Sequence, residues 1–195
     1  MPVRDPCAKL YVVHPEAGEG IGSWTIDLLR RYDPDAWEGL YHDVRPTVWR
    51  YARSRLATDE QAEDALSEVM VRAMSAIGRY EVGVNGIIPW VVGIARNVVR
   101  EAYRSGARLR AVEWPVERGA AEVDERLVAQ EEAFALRTAF AGLPEPDREL
   151  LGLRVVAGLD ATTTAQVLGK RPGAIRMAQS RALGRLRVKL REEAG

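Results

Sequence analysis

The sequence predicts an all-α fold: two small helical domains joined by an acidic, flexible linker. Three observations carry this. Apolar residues recur at three- and four-residue steps, most clearly in Trp37, Leu40, Tyr41, Val44, Val48, Tyr51 and Ala52, which is helical period. No segment shows the apolar–polar alternation of a half-buried strand; Val12-Val13 and Ile87-Ile88 are too short. Residues 111–132 carry seven acids against Arg118 and Arg126 and divide two periodic halves. The expected division is 1–32, an N-terminal extension; 33–110, the first domain; 111–130, the linker; and 131–195, the second domain.

The extension has three prolines before Glu16 and a glycine-rich A-G-E-G-I-G-S. It is expected to be mostly flexible, with one or two helical turns in W-T-I-D-L-L-R-R-Y. Asp33-Pro34-Asp35 reads as a helix start, a capping acid followed by proline in the first turn. Pro46 is expected to kink or split that helix. Thr58 and Gln61 have the spacing of a capping box and open a helix to about Ile77. Its apolar side is Ala62, Ala65, Leu66, Val69, Ala73 and Ile77. The glycines and Asn85 of residues 78–86 read as a loop. Pro89 then begins a helix reaching about Ser105. In the second half, 127–141 is helical by pattern, L-P-E-P-D-R-E-L-L-G-L-R-V-V-A-G reads as one helix, and 159–168 as a short one. A basic helix starts at Pro172.

The chain has 28 Lys+Arg against 28 Asp+Glu and 47% hydrophobic residues, enough for packed cores in a charged surface. One cysteine, Cys7, cannot form an intramolecular disulfide, which suits a reducing compartment. His14 and His42 stand apart from any cysteine pair, so no zinc spacing exists. No cofactor or metal is expected. No signal peptide or membrane-length apolar run is found, and the expected location is the cytoplasm. Without a nucleophile–base pair, phosphate loop or metal set, no enzyme is expected. Glu63 and Asp64 are adjacent on a helix and diverge in direction, so they read as a contact face rather than a catalytic pair.

The charges balance in total but are sorted along the chain. Residues 59–68 hold five acids and no base; residues 93–110 hold five arginines and one acid; Lys170–Arg191 holds eight bases and no acid. The last block completes a helix-turn-helix pattern beginning at Ala161. Ala165 is small at the helix crossing, Gly169 suits the turn, and Ile175 and Ala178 point inward; Thr164 sits where an apolar residue fits better. In such a motif the second helix lies in the major groove. Arg176, Met177, Ser180 and Arg181 would face outward, with Lys170 and Arg171 near the backbone. An alternative for this segment alone is a basic amphipathic helix meeting an acidic partner. In the first half, Arg96, Arg100 and Arg104 form one stripe, beside Asn97 and opposite Ile94, Ala95, Val98 and Val99.

The acidic helix A-E-D-A-L-S-E-V-M-V-R-A-M, with W-V-V-G-I-A-R-N after it, resembles region 2 of bacterial sigma-70 family RNA polymerase sigma factors. L-P-E-P-D-R-E-L-L-G-L-R through A-G-L-D to the basic helix resembles region 4. The two-module form is that of the extracytoplasmic-function (ECF) group, and the likeness covers residues 33–191. It departs at Ser67, where relatives often have Gln, and at Ala161-Thr-Thr-Thr, where an acidic run is usual.

The resemblance implies a subunit that binds core RNA polymerase and directs it to promoter DNA for a stress or developmental regulon. Glu63, Asp64, Glu68 and Arg72 would meet the clamp of the beta-prime subunit. Arg96, Asn97, Arg100 and Arg104 would hold the melted minus-ten strand. Lys170, Arg171, Arg176, Met177, Ser180 and Arg181 would read the minus-thirty-five element. It also implies an anti-sigma partner, no membrane insertion and no homo-oligomer. The competing reading is a stand-alone helix-turn-helix regulator of duplex DNA, which has no need of the first module.

Overall fold

The computed structural model describes residues 25–82, 86–104 and 133–193. All regular structure among them is helical. Most of the extension, the linker of 111–130, Cys7, His14 and Trp114 lie outside these residues.

Helix α1 (Ile26–Arg30) is capped by the Thr25 side chain. Leu29 is fully buried, and its carbonyl accepts from Trp37 Nε1 at 3.1 Å. Helical packing therefore starts upstream of residue 33. Helix α2 (Pro34–Arg53) is capped by Asp33 Oδ1, which accepts from Ala36 N at 3.0 Å, with proline at the first position. Pro46 does not split it: α2 runs unbroken, and Pro46 is exposed. On that solvent side, water can satisfy the carbonyl that proline leaves without its helical donor.

Helix α3 (Asp59–Ala76) begins with a variant of the expected box. Thr58 Oγ1 accepts from Gln61 N, while Gln61 Oε1 reaches one residue further back, to Ala57 N at 3.0 Å. A 3₁₀ turn (Ile77–Arg79) ends it, and helix α4 (Ile88–Arg104) comes after Gly86, whose φ is +68°. The apolar sides of α2, α3 and α4 close on one core that includes Leu40, Val48, Leu66, Val69, Val92 and Val99.

The second half holds α5 (133–141), α6 (Glu145–Leu151), α7 (Ala161–Leu168) and α8 (Pro172–Glu193). The single helix expected across 143–158 is two kinds of helix. After Leu151 the backbone widens into a π-helical turn (Gly152–Val156), with Ala157 N donating to Gly152 O at 2.8 Å. A π insertion adds a residue per turn and rotates the downstream residues about the helix axis. Here it turns Leu153, Ala157 and Leu159 toward the first module, whose core they join. Full burial of one such leucine is worth about 1.5–3 kcal/mol.

The two helical modules are thus packed against each other. Polar contacts reinforce the junction: Arg55 pairs with Glu145, and Arg96 with Glu149. Gly152 also lies at this junction; a Cβ there would lie 3.1 Å from Ser54 Oγ and 3.6 Å from the Tyr51 ring. Arg53, Ser54 and Arg55 are all buried. Arg53 pairs with Asp59, and Arg55 also lies 5.8 Å from the Tyr103 ring centroid. Burial raises the Tyr51 hydroxyl's pKa above its ordinary value, against the opposing charge of Arg55.

Candidate nucleic-acid interface

The outward face of α8 is built by the turn before it. Asp160 caps α7, its Oδ1 accepting from Thr163 N at 2.6 Å. Burial alone would raise the Asp160 carboxyl's pKa, but hydrogen bonds from Thr163 and Thr162 and the charge of Arg154 prevail and lower it. Gly169 ends α7 in the left-handed region at φ +64°, and Lys170 N returns to Ala165 O at 2.8 Å. That closure is a Schellman cap, which glycine adopts without Cβ strain. Ala165 and Ile175 are buried at the crossing, with Ala178 partly buried against them. Thr164 is fully buried, and its hydroxyl has no hydrogen-bond partner in the structure. The mismatch expected at that position is therefore physical.

Lys170, Arg171, Arg176, Met177, Ser180 and Arg181 are all exposed. Met177 is 61% exposed, unusual for a large apolar side chain inside a long helix. Arg176/Ser180 and Met177/Arg181 are pairs one turn apart, so the four share a surface. Two contacts not evident from sequence fix the helix under them. Arg154 on the π turn donates Nε to Gln179 Oε1 at 2.9 Å and also bonds Leu159 O. Further along, Arg185 grips the buried Asp147, with Nη2 2.8 Å from Oδ1.

The first-module stripe is unevenly presented. Asn97 and Arg104 are exposed and Arg100 is half-buried. Arg96 instead donates Nε to Glu149 Oε1 at 2.7 Å and Nη2 to Glu149 Oε2 at 3.2 Å. These bonds raise its pKa, against the opposing effect of burial. An open groove of about 520 Å³ is lined by Arg79, Tyr80, Glu81, Gly86, Pro89 and Trp90 of the first module and Gln166 of the second. Trp90 packs on the core edge, with its ring centroid 5.0 Å from that of Tyr80. Arg79 and Glu81 put opposite charges on the groove wall, and Tyr80 is buried, so the aromatic surface that the groove offers is that of the partly exposed Trp90.

The outer side of α3 differs. Glu63 is 3.3 Å from Arg45, Arg72 bridges Glu68 at 2.7 Å and Glu101 at 2.8 Å, and Asp64 is exposed. The bonds to Arg72 lower the pKa of Glu101. Val71 and Met74 are exposed large apolar residues on this helix. Val71 is one turn beyond Glu68 and two beyond Asp64, so an apolar spot sits within the acidic surface. Both residues lie off the buried stripe, and that was the signal in the sequence that could have found them.

The profile of sigma-70 region 2 matches residues 40–109. The ECF RNA polymerase sigma factor SigD of Mycobacterium tuberculosis is 34% identical over 163 residues, covering 80% of this chain and 77% of SigD. Among solved structures, CnrH in complex with the cytosolic domain of CnrY has the same fold at TM-score 0.65 and 19% identity, covering 86% of this chain and 95% of that one. The sigma factor RpoE of Bartonella quintana, in complex with the anti-sigma factor NepR, matches at TM-score 0.56 and 20% identity, covering 79% and 98%.

Proposed function

Because this chain belongs to the ECF sigma factors of RNA polymerase, we propose that it binds core polymerase through α3 and reads promoter DNA with α4 and α8. The observation that carries the reading is the pairing of two unlike kinds of surface in one chain. One is acidic with an apolar spot, suited to a protein partner; the others are basic, suited to a polyanion.

On α3, Glu63, Asp64, Glu68 and Arg72, with Val71 one turn beyond Glu68, would face the clamp of the beta-prime subunit. Their acids repel DNA and leave that face to protein. On α4, Arg96, Asn97, Arg100 and Arg104 would hold the melted minus-ten strand, with the partly exposed Trp90 offering a face for a displaced base. On α8, Arg176, Met177, Ser180 and Arg181 would reach base edges in the minus-thirty-five element, while Lys170 and Arg171 neutralise phosphate. The protein does no chemistry of its own in this role; it positions polymerase, in the cytoplasm where polymerase works. An anti-sigma factor is its expected regulator, supported by the capture of RpoE in complex with NepR. Among the described residues, no helix is long and apolar enough to cross a membrane.

The test is transcription in vitro. Core polymerase from the source organism is run on fragmented genomic DNA with and without the protein, and transcript starts are mapped. Starts that appear only with the protein, sharing two spaced upstream elements, are expected. No new starts, together with tight duplex binding in the absence of polymerase, would favour the stand-alone regulator instead.

A further inference from the structure

The short helix α1 reaches the wall of the groove. It is anchored by Leu29, which is fully buried, and by the bond from Trp37 Nε1 to the Leu29 carbonyl. One residue on, Arg30 donates Nη2 to the carbonyl of Tyr80 at 2.7 Å, across 50 residues of chain. Its Nη1 lies 4.0 Å from Asp27 Oδ1 of the same helix. A hydrogen bond from a charged donor is roughly twice as strong as a neutral one. Tyr80 is where the chain leaves the 3₁₀ turn for extended backbone, at φ −68° and ψ 126°. Its backbone is held on both sides, the N–H by Ile77 O at 3.1 Å and the carbonyl by Arg30. Its ring is buried, with a hydroxyl that has no hydrogen-bond partner in the structure. That ring lies 5.0 Å from the Trp90 ring, centroid to centroid, at 47° between planes. Trp90 is two helical turns before Asn97, and Asn97 two before Arg104, so the three share one side of α4. Contacts therefore run from α1 through Tyr80 to the partly exposed Trp90.

We propose that Arg30 is a positioning residue for single-strand binding: by holding the Tyr80 carbonyl it sets the Tyr80 ring against Trp90, and so fixes the aromatic face on which one displaced base stacks. The inference rests on the proposed strand-binding role of α4. An aromatic face already fixed in place loses less freedom when a base stacks on it. Loosening it weakens binding without altering any group that touches the strand. Arg30 precedes the 40–109 matched by the region 2 profile and falls in the segment expected to be a separate extension; the contact makes it part of the groove. Attachment of α1 to the fold does not need it, because Leu29 and the Trp37 bond supply that. The Arg30 side chain is itself 41% exposed.

Arg30→Met keeps the unbranched stem and removes the donors. Arg30→Lys keeps a charged donor. Trp90→Leu removes the aromatic face and leaves an apolar side chain at the core edge. The full chain is titrated with a fluorescein-labelled, mixed-sequence single-stranded 20-mer and with a mixed-sequence duplex of the same length, both read by anisotropy. A second single-stranded 20-mer carries 2-aminopurine at every fourth position, and its fluorescence falls as the base stacks.

Trp90→Leu is expected to weaken single-strand binding about tenfold, within the range for one base stacked on an aromatic side chain. Arg30→Met is expected to weaken it about fivefold and to lose much of the 2-aminopurine quenching. Duplex binding, which α8 serves, should be unchanged, and Arg30→Lys should recover most of both losses. In the double variant Arg30→Met should add nothing to Trp90→Leu, because it acts through that ring. Fully additive losses would overturn the proposal. So would an equal loss on single strand and duplex, the mark of a merely structural residue, or wild-type binding by Arg30→Met beside weakened binding by Trp90→Leu. Equal single-strand binding by the wild type and Trp90→Leu would instead remove the strand-stacking reading of the groove, and Arg30's role with it.

Discussion

Arg154 donates its Nε to Gln179 Oε1 at 2.9 Å, tying the π turn to the middle of α8 while its Nη1 bonds the carbonyl of Leu159. One guanidinium thus spans the loop and the helix that carries the outward basic residues. Burial lowers its pKa, and the neighbouring charge of Arg176 acts in the same direction. Arg154→Ala should remove both bonds and cost about 1.5–3 kcal/mol, the range for hydrogen bonds to a charged group. Urea unfolding checks the magnitude. Because Arg154 supports α8 from beneath, duplex affinity should fall by a similar factor on promoter and unrelated DNA. A loss confined to one promoter position would mean that Arg154 itself reads a base.

Thr164 invites the opposite change. Its hydroxyl is fully buried without a partner, beside Ala165 at the crossing of α7 and α8. An unpaired buried polar group costs about 1–3 kcal/mol. Thr164→Val keeps the branched shape and removes that cost, so it should raise stability by about 1 kcal/mol. In a chain of this size that moves Tm by roughly 2–4 °C. A calorimetric scan showing no rise, or a fall, would mean that the hydroxyl is satisfied in solution.

Much of this architecture was legible beforehand because it is local. Asp33, Thr58 and Gly169 each carry their own cap or turn chemistry, and the apolar stripes of α2, α3 and α4 come directly from spacing. The outward residues of α8 were legible for the same reason: a helix fixes which positions share a face. The π turn was not, because G-L-R-V-V has good helical pattern and the widening serves contacts made more than 50 residues upstream. Glu149 was invisible as a partner of Arg96 on the same grounds. Nothing local says which guanidinium group it meets. Pro46 does not split α2 as it could have, because it lies on the exposed side of the helix.

Asp160 links acidity to the fold of the helix-turn-helix. Its folded pKa is lower than its ordinary one, so its stabilising contribution is fully present above the ordinary aspartate range, near pH 4. It is lost as pH falls through the depressed folded value. Asp160→Ala should cost about 1 kcal/mol at neutral pH through loss of the cap to Thr163. The difference from wild type should shrink as pH drops below about 4. Denaturant unfolding of both proteins between neutral and acidic pH measures this. A difference that grows in acid would reverse the sign and remove the carboxylate from the explanation.

Arg176 and Lys170 should separate base reading from phosphate holding. Arg176 lies on the exposed face shared with Met177, Ser180 and Arg181, whereas Lys170 lies at the turn before α8. If Arg176 forks onto a guanine edge, Arg176→Ala should cost about 1–3 kcal/mol on the cognate minus-thirty-five duplex and relax selectivity at one base pair. Lys170→Ala should weaken every duplex alike and reduce the dependence of binding on salt by about one counterion. The measurement is duplex binding by the holoenzyme across a set of single-base variants at two or more salt concentrations. The cognate sequence comes from the mapped transcript starts. If both substitutions gave the same uniform loss, the whole face would be a phosphate clamp, and minus-thirty-five selectivity would have to come from DNA shape rather than from Arg176.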